Sequence, residues 1–273
     1  MLSRVLVQVL ATNASPILRC RDLDTVIASL AALFHVDRRR LVRVLPGAAN
    51  AALADPEGST AAIVPALAAA LGQKPAAPRR IHFFHGTRAF DPQAFFDCGL
   101  LPLSRALDEI WDRMRGLAHE IPEADFATFR QGLEDGPIKD LTYRHRRSMG
   151  ALEEGPHGVL VRDVLVQAAA YGSSTEFLRV PEIIGDICFA ASNELKIDLE
   201  RRFLQATTSC IVEFSVDGRS VDKALAAACW YAEAALRGTT AGGGYVFHNF
   251  GGDGMPVPAQ DIVCVEPLDV PVL

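Results

Sequence analysis

The spacing of apolar positions changes part-way along this chain, and the change divides it. In residues 22–34, Leu23, Val26, Ile27, Leu30 and Leu33 recur at three-and-four spacing, which predicts an amphipathic helix. Pro46-Gly47 and Asp55-Pro56-Glu57-Gly58-Ser59 read as turns around a further helix, and residues 60–71 as another. Residues 73–80, with Pro75 and Pro78, have the composition of a linker. The expected organisation is a helical N-terminal lobe over 1–74 and a second unit over 81–273.

Beyond the linker the pattern becomes mixed. Ile81-His82-Phe83-Phe84 is a buried-strand candidate, and residues 92–98 form a short helical phrase closed by Gly99. Leu107, Ile110, Trp111, Met114 and Leu117 give residues 104–150 a helical period, as an insertion, and Trp111 and Trp230 read as core. Gly158-Val159-Leu160-Val161 predicts a short strand leading into a helix over 163–171. Residues 210–216 alternate and stop at Asp217-Gly218, which marks a strand and a turn. An alanine-rich helix over 221–236 and a last strand over 261–265 complete the pattern. Strands and helices do not alternate regularly, so the predicted class is α+β rather than doubly wound.

Composition narrows the function classes. With 49% hydrophobic and 22% charged residues the chain is of globular type. A formal net charge of −6 argues against a protein that holds nucleic acid mainly by neutralising phosphates. Six cysteines without a CxxC pair indicate neither a zinc site nor a disulfide framework, and no metal is expected. They read as small hydrophobes in a reducing compartment. The apolar residues 1–10 carry Arg4 and are broken by Asn13, Ser15 and Pro16 before reaching a signal-peptide pattern. No run reaches the ~18 apolar residues of a membrane span, so a cytoplasmic location is expected.

The sharpest local feature is His85-Gly86-Thr87-Arg88 at the end of the first strong strand. A strand end that presents an imidazole beside a bare backbone can hold a small polar molecule, and it can equally be a satisfied structural histidine. The cluster Tyr143-Arg144-His145-Arg146-Arg147 can grip a pyrophosphate or form an exposed basic loop, and the basic run around Arg38, Arg39 and Arg40 a solvated helix face. His157 and His248 are similarly open. The run Gly242 to Gly244 lacks the following Lys-Ser/Thr of a phosphate loop.

Three segments, in order, resemble the ADP-ribosyltransferase superfamily in its His-Gly-Thr branch, that of poly(ADP-ribose) polymerases and diphtheria-type toxins. They are His85-Gly86-Thr87 with Gly99-Leu100, then Gly158-Val159-Leu160-Val161-Arg162-Asp163 with Ala168-Ala169-Ala170-Tyr171, then Pro258-Ala259-Gln260-Asp261-Ile262-Val263. The resemblance implies a split β-sheet with flanking helices and NAD as substrate. It implies that His85 hydrogen-bonds a ribose hydroxyl, that Gly86 pins the carboxamide and that Tyr171 stacks on the nicotinamide. Thr87, Arg88 and Gly158 would complete the NAD-binding set. The catalytic positions of the family map onto His85, Leu160 and Gln260.

Two departures shape the expected activity. Leu160 stands where the family has a tyrosine, and Gln260 where it has a glutamate. An amide keeps hydrogen bonds but not the charge that stabilises an oxocarbenium-like state. Asp261 points to the other face of its strand, Glu266 lies beyond the apolar run, and Glu176 reads as solvated, so none is a strong substitute. The leading expectation is a bacterial-type mono-ADP-ribosyltransferase that releases nicotinamide and modifies an unidentified protein or nucleic-acid acceptor. The alternatives are an RNA 2′-phosphotransferase-like enzyme, supported by Val257-Pro258-Ala259-Gln260-Asp261-Ile262, and a degenerate module that binds NAD or ADP-ribose.

Overall fold

A computed structural model describes residues 16–54, 59–136, 138, 141–148, 154–168, 178–218 and 221–269. Among these, six strands form one open sheet: β1 (Ile17–Leu18), β2 (Arg80–Ala89), β3 (His157–Val159), β4 (Thr208–Asp217), β5 (Asn249–Gly251) and β6 (Ile262–Leu268). The order is β5-β3-β2-β4-β6, with antiparallel pairing throughout and β1 added parallel to the start of β2. The longest ladder runs from Arg80 opposite Asp217 to Ala89 opposite Thr208. Within this ladder Ile81, Phe83 and Phe84 of β2 and Cys210, Ile211, Val212 and Phe214 of β4 are buried on both faces, which explains the near-continuous apolar texture of both strands. Gly158 is required by packing: a Cβ there would meet the Phe214 ring at 2.7 Å. The architecture is mixed helix and sheet.

The N-terminal helices are α1 (Leu23–Leu33), α2 (Arg38–Leu53) and α3 (Ile63–Leu71). Asp22 caps α1 in a reciprocal capping box with Thr25, and Asp37 caps α2. Pro46 and Gly47, expected as a turn, lie inside α2. Leu41, Leu45, Ala48, Ala49 and Ala52 form one buried stripe across the proline, so burial of that face outweighs the roughly 3 kcal/mol that an interior proline costs. These helices share a core with the sheet and with a later, alanine-rich helix.

The remaining helices are α4 (Phe95–Cys98), α5 (Leu103–Leu117), α6 (Glu123–Asp135), α7 (Leu141–Ser148), α8 (Asp163–Val166), α9 (Glu182–Glu194), α10 (Leu199–Ala206), α11 (Val221–Leu236) and α12 (Gly243–Val246). Of these, α11 packs on α1, α2 and α3, and the Trp230 indole N–H donates to the Thr60 carbonyl at 2.8 Å. Helices α5, α6, α7, α9 and α10 build a second core around Trp111, whose ring meets Phe126 and Phe129 edge-on at 6.0 Å. The helical period read over 104–150 is therefore the apolar face of a separate cluster. Of the helix expected over 163–171, Asp163–Val166 is α-helical, and residues 169–177 lie outside the described set. Among the described residues no helix is long and apolar enough to cross a membrane.

Candidate functional site

The seam between the two cores opens into a cleft of about 410 Å³, a size that suits a small-molecule ligand. The sheet side supplies His85, Thr87 and Ala89 from β2. Gly99, Leu100 and Leu101 form one rim, held because Leu100 exchanges backbone hydrogen bonds with Val257 at 3.0 and 2.9 Å. Ile110 and Met114 of α5, Ile183 and Ile184 of α9 and Phe203 of α10 form the opposite wall. The insertion thus contributes a wall of the cleft. Phe90 and Phe95 add aromatic surface.

Several polar groups of this lining are tied to protein partners. The Nδ1–H of His85 donates to the His157 carbonyl at 2.7 Å, which leaves Nε2 as the ring's acceptor. Burial pushes the His85 pKa below its ordinary value, against the contrary pull of the His157 carbonyl, so the imidazole is neutral at physiological pH. Arg88 lines the cleft but its guanidinium is buried and bound to the Thr207 hydroxyl at 3.0 Å and to the Leu204 and Thr207 carbonyls at 3.1 and 2.8 Å. It ties β2 to the end of α10. Arg146 bonds Glu182 and Asp186, which docks α7 on α9, and Arg144 bonds the Gly136 and Ile138 carbonyls. The basic cluster is therefore mostly an internal brace, with Arg146 reaching the cleft wall.

The sequence-selected residues distribute as follows. His85 and Thr87 line the cleft, and Gly86 lies half-buried between them on β2. Gly158 sits beneath Phe214 and Phe83, and Leu160 is wholly buried in the sheet core with its N–H on the His248 carbonyl. Gln260 is exposed in a 3-10 turn that leads into β6, and it is not part of the cleft lining. Tyr171 and Glu176 lie outside the described residues. The residues just before the second and third segments contact the first, His157 through its carbonyl on His85 and Val257 through its backbone on Leu100, but no residue of 158–163 or 258–263 lines the cleft.

A second polar cluster crosses the sheet. Glu213 on β4, 1% exposed in its side chain, accepts two hydrogen bonds from Arg19 at 2.6 Å, one from Arg21 at 3.1 Å and one from His82 Nδ1 at 2.7 Å. Arg21 continues to Glu266 at 2.8 Å, and Arg162 closes the chain on Glu266 at 2.5 Å. Asp261 is bonded to Arg80. Both neighbouring carboxylates weighed as substitutes for Gln260 are thus engaged in ion pairs. Glu213 is the charged residue inside the apolar run Cys210-Ile211-Val212-Glu213-Phe214, and that contrast is the signal that marks the network in the sequence.

Six free thiols are present, four of them buried, and burial pushes Cys188 up to about 12 and Cys210 up to about 11. Among the described residues no group of three or more His, Cys, Asp or Glu is placed to hold a metal ion. No protein-family model, curated protein or solved structure matches this chain.

Proposed function

We propose that the cleft binds NAD and that the protein transfers a single ADP-ribose to an acceptor, releasing nicotinamide. The observation that supports this reading is the first resembling segment at the cleft, with His85 held through Nδ1 on the His157 carbonyl and Gly99-Leu100 forming the rim. A neutral imidazole with Nδ1 committed to a carbonyl offers Nε2 to a ribose hydroxyl. The apolar wall of Ile110, Met114 and Phe203 excludes water around a flat aromatic ring. Departure of nicotinamide is then a matter of orientation and charge stabilisation rather than of a resident cofactor.

His85→Ala is expected to lower nicotinamide release from NAD on the order of 100-fold while the fold is kept, as for loss of one oriented hydrogen-bonding partner. Release is read by chromatography and folding by circular dichroism. Unchanged release in the variant, or no binding of NAD by the wild-type chain in calorimetry, would overturn the reading. A second reading, NAD binding without turnover, draws on the exposed Gln260 and the buried Leu160. NAD that binds and survives long incubation intact would favour it.

A further inference from the structure

We infer that Glu154 supplies the negative charge of the cleft and so recognises a ligand with a positive charge on a flat apolar body. On the NAD reading, on which this inference rests, that body is the cationic nicotinamide ring. Four carboxylates line the cleft: Asp91, Glu109, Glu154 and Glu182. Asp91 is exposed and caps the following turn by accepting the Gln93 N–H at 2.9 Å. Glu109 is bonded to Arg113 and Glu182 to Arg146. Glu154 accepts a hydrogen bond from the Ser104 hydroxyl at 2.6 Å, and among the described residues no ion pair includes it. The cationic groups of the lining are committed elsewhere, Arg88 to Thr207 and to backbone carbonyls, Arg113 to Glu109, and Arg146 to Glu182 and Asp186.

Position strengthens the case. The Glu154 carbonyl is held by the Leu103 N–H at 2.8 Å, while its carboxylate is oriented by the next residue, Ser104. Three residues later the His157 carbonyl anchors the His85 ring. The carboxylate and the imidazole of the cleft are therefore set by one short segment, Glu154-Gly155-Pro156-His157, all of which lines the cleft. An unneutralised carboxylate beside aliphatic and aromatic walls attracts a cation more strongly than it would in open water.

The chemistry needs a carboxylate here because Gln260 carries no charge. The bond between ribosyl C1′ and the ring nitrogen breaks, and its electron pair goes to that nitrogen, so the pyridinium leaves as neutral nicotinamide. Positive charge passes to C1′, where Glu154 stabilises it. The acceptor's lone pair then forms the new bond to C1′, and its proton goes to Glu154 and on to solvent. NAD and acceptor yield ADP-ribosylated acceptor, nicotinamide and one proton.

The test uses the full chain with two probes of one shape, cationic 1-methylnicotinamide and neutral nicotinamide, and with NAD itself. The wild type is expected to bind the cationic probe about tenfold tighter than the neutral one. Glu154→Gln should abolish that preference and cut nicotinamide release from NAD roughly 100-fold. Glu154→Asp, which keeps the charge, should retain the preference and guards against a merely misfolded amide variant. A Glu154→Gln protein that keeps the preference, or that releases nicotinamide at the wild-type rate, would overturn the role of Glu154 and leave the NAD reading standing. A wild-type chain that binds neither NAD nor either probe would overturn both.

Discussion

Glu213→Ala is expected to destabilise the protein by roughly 3–5 kcal/mol, the cost of removing one partner from a buried ionic network. The side chain is 1% exposed and receives Arg19, Arg21 and His82, so its loss strands the Arg19 guanidinium and the His82 imidazole and leaves Arg21 with Glu266. A melting temperature lower by roughly 10 °C is the expected readout for a chain of this length. The network also predicts acid sensitivity. Burial raises the Glu213 pKa, but hydrogen bonds from His82 and Arg19 and the nearby charges outweigh it and hold the group at about 2, against an ordinary value of 4.5. The unfolded chain therefore takes up this proton before the folded one does. Stability from Glu213 is fully present above about pH 4.5 and is lost as pH falls toward 2, a loss of about 3 kcal/mol. Urea midpoints at pH 7 and pH 3 for wild type and Glu213→Gln check it. The gap between the two proteins should narrow at the lower pH, and an equal gap at both would refute the account.

Gly99→Ala carries the second large effect, on fold and cleft together. Gly99 closes α4 with φ 73° and ψ −157°, a conformation essentially reserved for glycine. A Cβ at this position would lie 2.1 Å from the Val257 carbonyl oxygen and 2.9 Å from the Ala259 nitrogen, both backbone atoms. The Val257 oxygen cannot retreat freely, because it accepts the Leu100 N–H at 3.0 Å. Strain and clash together are expected to cost about 3 kcal/mol or more. The rim formed by Gly99, Leu100 and Leu101 should shift with it, weakening any ligand of the cleft by about tenfold or more. Gly47→Ala is the matched control, since Gly47 is exposed within α2 and a Cβ there meets nothing within 4 Å. It should be neutral or stabilising by up to about 1 kcal/mol. Thermal melts of the two variants side by side make the comparison, and equal melting temperatures would sink the argument.

Much of the local structure is legible along the chain. The three-and-four spacing from Leu23 to Leu33 becomes α1, the alternation around Glu213 becomes β4, and the alanine-rich stretch becomes α11. His85 stands out because a polar group interrupts an apolar strand, and it does line the cleft. Proline reads as a breaker only locally, which is why α2 runs through Pro46: the buried stripe from Leu41 to Ala52 is a tertiary reward that no local rule contains.

What the sequence by itself determined is therefore periodicity, the placement of turns and the exceptional residues within otherwise uniform runs. Those are properties of neighbours within one turn or one strand. Tertiary structure alone decided which distant segments meet. Arg19 reaches Glu213 across 194 residues and Arg21 reaches Glu266 across 245. The same holds for Leu160, buried rather than at the cleft, for Gln260 on the surface, and for Glu154 in the cleft wall. Strand order and the docking of α5 and α9 set those positions, and pairings across such separations leave no periodic trace along the chain.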